Sequence, residues 1–347
     1  MKIPTEPIGS IPRPLYLLAA LNGAADELQA ATDKALRETI ELFEATGSPV
    51  ITDGEQSKPS FATYPLHGCP NIAPGGVTIP FADGHTRQLP RLASGPFRYA
   101  TYASSYVKAA RALTKTPTKQ AVISASALSL LYPQEGIKSY SQEEFLADLI
   151  SEAEKDIRGC LEAGAVNVQI DFTEGRLAIK LDPSLKLLEQ FIDLNNRVLE
   201  RFSEDGRLRI GVHSCPGGDH DSTHSADVDY DELLPRLFQL KATNFYIQLA
   251  SERDRRRVLG LVRANLGSRQ RIFVGVTDPI NARLETPEEV CSRVLEAAEF
   301  IPLEQLGTTD DCGFSPFGDD VSTSRELAFQ KIRSRVLGTA LASERLQ

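Results

Sequence analysis

The sequence has no tryptophan, no methionine beyond Met1, and no run approaching the roughly 18 apolar residues a membrane-spanning helix requires. The first two absences limit aromatic stacking and soft thioether ligation. The third excludes a helical membrane protein. The opening MKIPTEPIGSIPRP has neither an apolar core nor a cleavage pattern, so the chain reads as soluble and cytoplasmic. Positive charge is also short: 38 Lys and Arg stand against 47 Asp and Glu, a net charge of −9. That balance argues against nucleic acid or an anionic membrane surface as the main partner and favours a small molecule. Cysteine is sparse and odd in number, five residues at irregular spacing. This is no disulfide framework, which leaves free thiols or metal ligands.

What is present is a rhythm of short apolar runs alternating with amphipathic stretches, the mark of repeated βα units and a parallel sheet. Strands are predicted at 7–11, 49–55, 121–126, 165–171, 208–215, 244–250, 271–278 and 305–312. Eight strands with helices between them predict an α/β fold, a (β/α)8 barrel, and 347 residues suit one such domain. Four capping boxes support the helix starts: Ser141 with Glu144, Asp229 with Glu232, Thr286 with Glu289, and Thr323 with Glu326. Gly47 and Gly164 read as C-terminal caps of helices at 31–46 and from 142. The Pro- and Gly-rich stretch from Lys58 to about Pro96 breaks the rhythm. It is read as an insertion between strands two and three, with residues 58–118 forming an insertion and connection over the barrel mouth.

Chemistry in such barrels sits at the C-terminal strand ends. Those ends carry Asp53-Gly54-Glu55, Asp171, His213-Ser214-Cys215, Asp278 and Asp310-Asp311-Cys312. Alternation along a strand turns His213 and Cys215 to one face, and imidazole with thiolate suits zinc. Cys312, on the opposite side of the mouth, is a third candidate. Buried packing residues are the competing reading, and pattern alone leaves both open. His67-Gly68-Cys69 has the same spacing but follows no strand, so it reads as a loop. His220 and His224 could form a second metal site with Asp219, Asp221 or Asp227, but they read rather as a polar loop leading into the helix capped at Asp229. Cys160 and Cys291 read as packing residues on helices. Ser10, ending the first strand, reads as a turn residue able to bind a carboxylate.

In order, the IGS, DGE, QID, HSC and DDCG segments resemble the catalytic half of cobalamin-independent methionine synthase over nearly the whole chain. The chain is also similar to shorter single-domain members of the wider methionine synthase and uroporphyrinogen decarboxylase barrel group. The resemblance implies zinc held by His213, Cys215 and Cys312, and a methyltransferase that alkylates a thiol such as homocysteine in methionine biosynthesis. It implies that Ser10, Glu55 and Asp171 hold the amino-acid end of that substrate. Where the family places a ligand Glu, this chain has Gln248, with Glu252 four residues on, so the fourth zinc ligand stays open. The loop after strand seven, Asp278-Pro279-Ile280-Asn281, lacks the family's helper histidine. These departures count against a folate donor and leave a methyl-corrinoid protein or another alkyl donor as alternatives. A metal-assisted lyase or hydrolase with Glu55, Asp171 or Asp278 as acid or base is the rival enzyme. A non-catalytic zinc- or metabolite-binding barrel is the third reading.

Overall fold

The computed structural model describes residues 2–347. Six parallel strands, Lys119–Ile123, Asn167–Asp171, Ile210–Ser214, Asn244–Ile247, Arg271–Thr277 and Leu306–Asp310, pair in chain order. They are fully buried apart from the first residue of two of them, as expected of a sheet whose two faces are both covered. Five of the six lie within the predicted segments. The other begins two residues early, at Lys119, and ends at Ile123, because Ser124 leaves the sheet to cap the helix Ala125–Ser129 by accepting from Ala127 N at 3.0 Å.

The predicted strands 7–11 and 49–55 are not regular strands. The first holds no ladder pair, its nearest bridge being Thr5 to Thr308 two residues earlier, and the second keeps one parallel bridge, Ile51 to Thr118. Pro4, Pro7 and Pro12 carry no N–H for a ladder. The 53–55 turn has positive φ at Gly54 and Glu55, which ends the other. The ring still closes: Ile11 N donates to Gly54 O at 3.0 Å, and Thr52 Oγ1 to Gly9 O at 2.7 Å. The result is a (β/α)8 barrel with six regular strands and an irregular seam.

Two of the four predicted capping boxes form in full, at Ser141 with Glu144 and at Thr286 with Glu289. Asp229 caps alone, onto Asp231 N, because Glu232 turns to Arg236 at 3.1 Å. Ser324, not Thr323, caps the last helix, and Thr323 reaches Asp221 Oδ1 at 2.9 Å. The helix Ala25–Ala45 starts six residues before the predicted 31 and ends beside Gly47 at φ 76°. The helix Gln142–Glu162 is followed by Gly164 at φ 101°.

The 58–118 segment carries two short hairpins, Ile72–Ala73 with Arg91–Leu92 and Thr78–Pro80 with Thr86–Gln88, then the helix Ser104–Arg111. The second hairpin reaches loops that follow the fifth and eighth barrel strands. Ala82 N donates to Thr223 O at 2.9 Å, and Arg87 pairs with both Asp219 and Asp319. Among the described residues no helix is long and apolar enough to cross a membrane.

Candidate metal centre and its two chambers

His213 lies on the strand Ile210–Ser214, Cys215 one residue beyond it, and Cys312 two residues beyond Leu306–Asp310. The three ligand atoms lie within 4.8 Å of one another, and the two sulfurs are 3.0 Å apart with both thiols free. His213 Nδ1 faces the Tyr246 carbonyl at 3.2 Å, which fixes the proton there and leaves Nε2 as the lone-pair nitrogen. Nε2 is buried with no hydrogen-bond partner. A buried acceptor left bare beside two thiols is costly unless a cation meets it. This donor set, one imidazole and two sulfurs, fits zinc. Gly217 N donates to Cys215 Sγ at 3.3 Å, and the Cys215 contact together with burial pushes the Cys312 thiol well up.

A small chamber of about 20 Å³ is bounded by His213, Cys312, Ser10, Glu55 and Asp171. Ser10 Oγ accepts from Ser315 N at 3.2 Å, which leaves its O–H to donate elsewhere. Glu55 Oε1 pairs with Lys58 Nζ at 3.0 Å, while Oε2 is buried without a partner. Burial pushes the Glu55 carboxyl up, against the pull of Lys58. Burial also raises Asp171, whose Oδ1 accepts from Gln169 Nε2 at 2.7 Å.

Gln248 follows the strand Asn244–Ile247. The ladder pairs Tyr246 with His213 and ends with Ile247 opposite Ser214, so Gln248 and Cys215 each lie one residue past its last rung. Gln248 Nε2 donates to Glu252 Oε1 at 3.1 Å, and Tyr230 OH donates to Gln248 O at 2.8 Å. Arg176 pairs with Glu252 at 2.7 Å and lies 4.0 Å over the Tyr230 ring. Glu252 is therefore committed, and it is not part of the three-residue ligand group. Asp278 borders neither chamber; its Oδ1 accepts from Ile280 N at 3.0 Å and caps its own turn.

A larger cavity of about 510 Å³ adjoins the small one and shares Phe61, Thr173, Gly217 and Gly218 with it. His224 borders it, its pKa pulled down to about 4 by burial. The residues suggested for a second metal site are otherwise engaged. Asp219 holds Arg87 at 2.5 Å and His85 at 3.0 Å, Asp227 holds Lys180 at 2.9 Å, and Asp221 accepts from Ser322 and Thr323. Asp219, His220 and Asp320 do cluster within 4.8 Å, but the Arg87 guanidinium already supplies positive charge there. Cys69 Sγ contacts Arg98 O at 3.3 Å in a loop, and Cys160 and Cys291 are fully buried on helices.

Several roles at the site were not foreseen from the sequence, which placed Asp311 at a strand end but not its partners. Arg13, between two prolines, donates to the Glu55 carbonyl at 2.6 Å and the Lys58 carbonyl at 2.9 Å. Asp311 accepts from Leu249, Ala250 and Ser251 N, each at 2.8 Å. Lys58 left a trace of its own, as an opposite charge three residues after Glu55.

Residues 97–326 match the family model described as the catalytic domain of cobalamin-independent synthase. A methionine synthase from Saccharolobus solfataricus is 21% identical over 353 residues, covering 99% of this chain and 96% of that protein. One from Sulfurisphaera tokodaii is 22% identical, covering 99% and 94%. Among solved structures, a B12-independent methionine synthase from a Shewanella species, in complex with selenomethionine, superposes with a TM-score of 0.80 at 19% identity, covering 100% of this chain and 99% of that one. A putative vitamin-B12-independent methionine synthase from Listeria monocytogenes gives a TM-score of 0.72 at 21% identity, covering 98% of each chain.

Proposed function

Because the chain belongs to the family of cobalamin-independent synthase catalytic domains, and is thus a cobalamin-independent methyltransferase, we propose that it alkylates the sulfur of a homocysteine-like thiol with zinc bound at His213, Cys215 and Cys312. One observation carries the reading: the bare, buried Nε2 of His213 stands with the two free sulfurs beside a chamber bounded by Ser10, Glu55 and Asp171. The Shewanella protein holds selenomethionine, the selenium counterpart of a methylated homocysteine, which agrees with a thiol acceptor.

Bound zinc would supply a Lewis acid able to ionise a thiol near neutral pH, where a free thiol has a pKa of about 8.5. The protein's own groups do the rest. Asp171 and the unpartnered Oε2 of Glu55 face a substrate ammonium, and the Ser10 hydroxyl donates to its carboxylate. In the transfer the sulfur lone pair forms the S–CH3 bond, the bond from carbon to the donor breaks, and its electron pair leaves on the donor, which takes a proton. The amide oxygen of Gln248, one residue past the last rung beside the His213 strand, is the fourth protein ligand in this reading. Asp278, turned onto its own loop, takes no part. The whole chain acts as one catalytic domain with the 58–118 segment over the mouth. Its five free thiols suit the reducing cytoplasm.

Metal analysis tests the base of this reading. The purified chain should hold about one zinc per molecule, and Cys215→Ser and Cys312→Ser should lose most of it. Unchanged zinc in both variants would overturn the proposal, as would turnover of a substrate with no thioether formed.

A further inference from the structure

The arms of the metal shell stand on strands that are not all neighbours. Across the sheet the order is Ile210–Ser214, Asn244–Ile247, Arg271–Thr277, Leu306–Asp310. His213 and Cys215 belong to the strand that ladders directly with the one leading to Gln248. Cys312 follows the last strand, and Arg271–Thr277 separates it from Gln248. No shared ladder sets the distance between these two arms, although the side chains around a site have to be held to within about 0.5 Å.

Asp311 spans that gap. It immediately precedes Cys312, and the amides it holds immediately follow Gln248. Its Oδ1 accepts from Leu249 N and Ala250 N and its Oδ2 from Ser251 N, each at 2.8 Å, and Oδ2 also accepts from the Ser251 hydroxyl at 2.7 Å. The same turn closes with Glu252 N donating to Leu249 O at 3.1 Å, so the carboxylate also steadies Glu252, the partner of the Gln248 amide. On the way the carboxylate crosses the intervening strand at Gly275, where a Cβ would collide with it. The ladder slips between Gly275 and Thr277, and Asp311 N donates to Thr277 O at 2.9 Å. A glycine beside an irregularity in a strand marks a close approach from outside that strand.

The energetics agree with a strut. A carboxylate at 2% exposure is costly unless donors surround it, and four do. Water could satisfy the same amides, but it would leave the two arms free to move apart.

We propose that Asp311 is a positioning residue of the metal shell, its carboxylate fixing the Gln248 arm to the Cys312 arm across the strand between them. The proposal rests on the zinc reading above and goes beyond it in naming what holds two of its arms together.

The test is a double-mutant cycle on the full chain, read by chelator competition for zinc and by the visible spectrum of the cobalt(II)-loaded protein. Asp311→Asn keeps the shape of the side chain but turns an amide N–H toward the Ser251 donors. It should lower zinc affinity about tenfold and shift the cobalt bands. In the Gln248→Ala background the same substitution should cost less than about threefold, because that arm no longer reaches the metal. Should circular dichroism show Asp311→Asn unfolded, Ser251→Ala makes the same comparison by removing one hydrogen bond of the four, with an effect of about threefold that vanishes in Gln248→Ala. Equal losses in the two backgrounds would make Asp311 a structural residue and overturn the proposal. So would an unchanged affinity and cobalt spectrum in folded Asp311→Asn, or a Gln248→Ala that binds zinc as the wild type does. A wild type that binds no zinc overturns the parent reading and this one with it, whereas the other outcomes leave the parent reading standing.

Discussion

The Arg176 guanidinium stands 2.7 Å from Glu252 Oε1, the same oxygen that accepts the Gln248 amide at 3.1 Å. Arg176 thereby settles two things at once. It neutralises Glu252, which would otherwise be a charged competitor for the metal, and it turns the Gln248 nitrogen toward Glu252, leaving the amide oxygen free for the other side. Partners behind a metal ligand commonly govern affinity by about 10–100-fold. Arg176→Met should therefore lower zinc affinity on that scale in a chelator competition while the fold persists. Affinity unchanged in both Arg176→Met and Gln248→Ala would remove Gln248 from the ligand shell.

Glu174 gives a pH dependence whose sign can be worked out. Its Oε1 accepts from Ser124 and Ser126, its Oε2 is buried without a partner, and burial pushes its pKa up to about 7. The folded state thus holds this proton more tightly than the unfolded chain, whose glutamate titrates near 4.3. Its contribution is fully present below that value and is lost as pH rises toward 7, a swing on the order of 3 kcal/mol. Urea unfolding at a series of pH values should show a flatter profile for Glu174→Gln than for the wild type between about pH 4.5 and 7. Parallel profiles would mean that the carboxyl is not perturbed.

The clasp at Arg87 makes a prediction about motion. Asp219 is fully buried and depends on Arg87 and His85 for compensation. Arg87→Met should speed hydrogen exchange across 78–88 by about tenfold or more and destabilise the protein by about 3 kcal/mol, the cost of stranding a buried charge. Arg87→Met,Asp219→Asn should recover part of that stability. If the double variant is no better than the single one, the pair is not what holds the hairpin.

Gly275 lies against Asp311 so closely that a Cβ there would collide with the carboxylate. Gly275→Ala should cost about 1–3 kcal/mol by overpacking and also pull Asp311 away from the Leu249, Ala250 and Ser251 amides. Chemical shifts of those three amides should move even at temperatures where the variant is fully folded. Unmoved shifts would show that Asp311 does not depend on this glycine.

The sequence disclosed regular features and missed those made by side chains from distant segments. Hydrophobic runs located the six regular strands because burial on both faces leaves an apolar trace, unbroken at Ile272–Val276. The same reasoning failed at 7–11 and 49–55, where proline and positive φ leave at most a single bridge in place of a ladder. His213 and Cys215 could be grouped because alternation is local, and the barrel architecture brought Cys312 across the mouth to join them. Asp278 looked equivalent to Asp171 in the sequence, yet one caps a turn and the other lines the chamber. Arg176 was silent, and Asp311 showed its strand end but not its role, since nothing near either in the chain says that its partners lie about 60 to 76 residues away.

The irregular seam has a thermodynamic consequence. Ser10 and Glu55, the two residues proposed to grip the substrate from this side, belong to the segments whose ladder pairing with the ring is limited to the bridges at Thr5 and Ile51. A molecule gripping both is a cross-brace over the most weakly laddered part of the barrel, and it stabilises the closed ring by mass action. At a concentration a hundredfold above its Kd it adds about 2.7 kcal/mol. The melting temperature of this protein is thus a readout for its own acceptor: among candidate amino acids, the one that raises the transition most is the one whose ends reach across the seam.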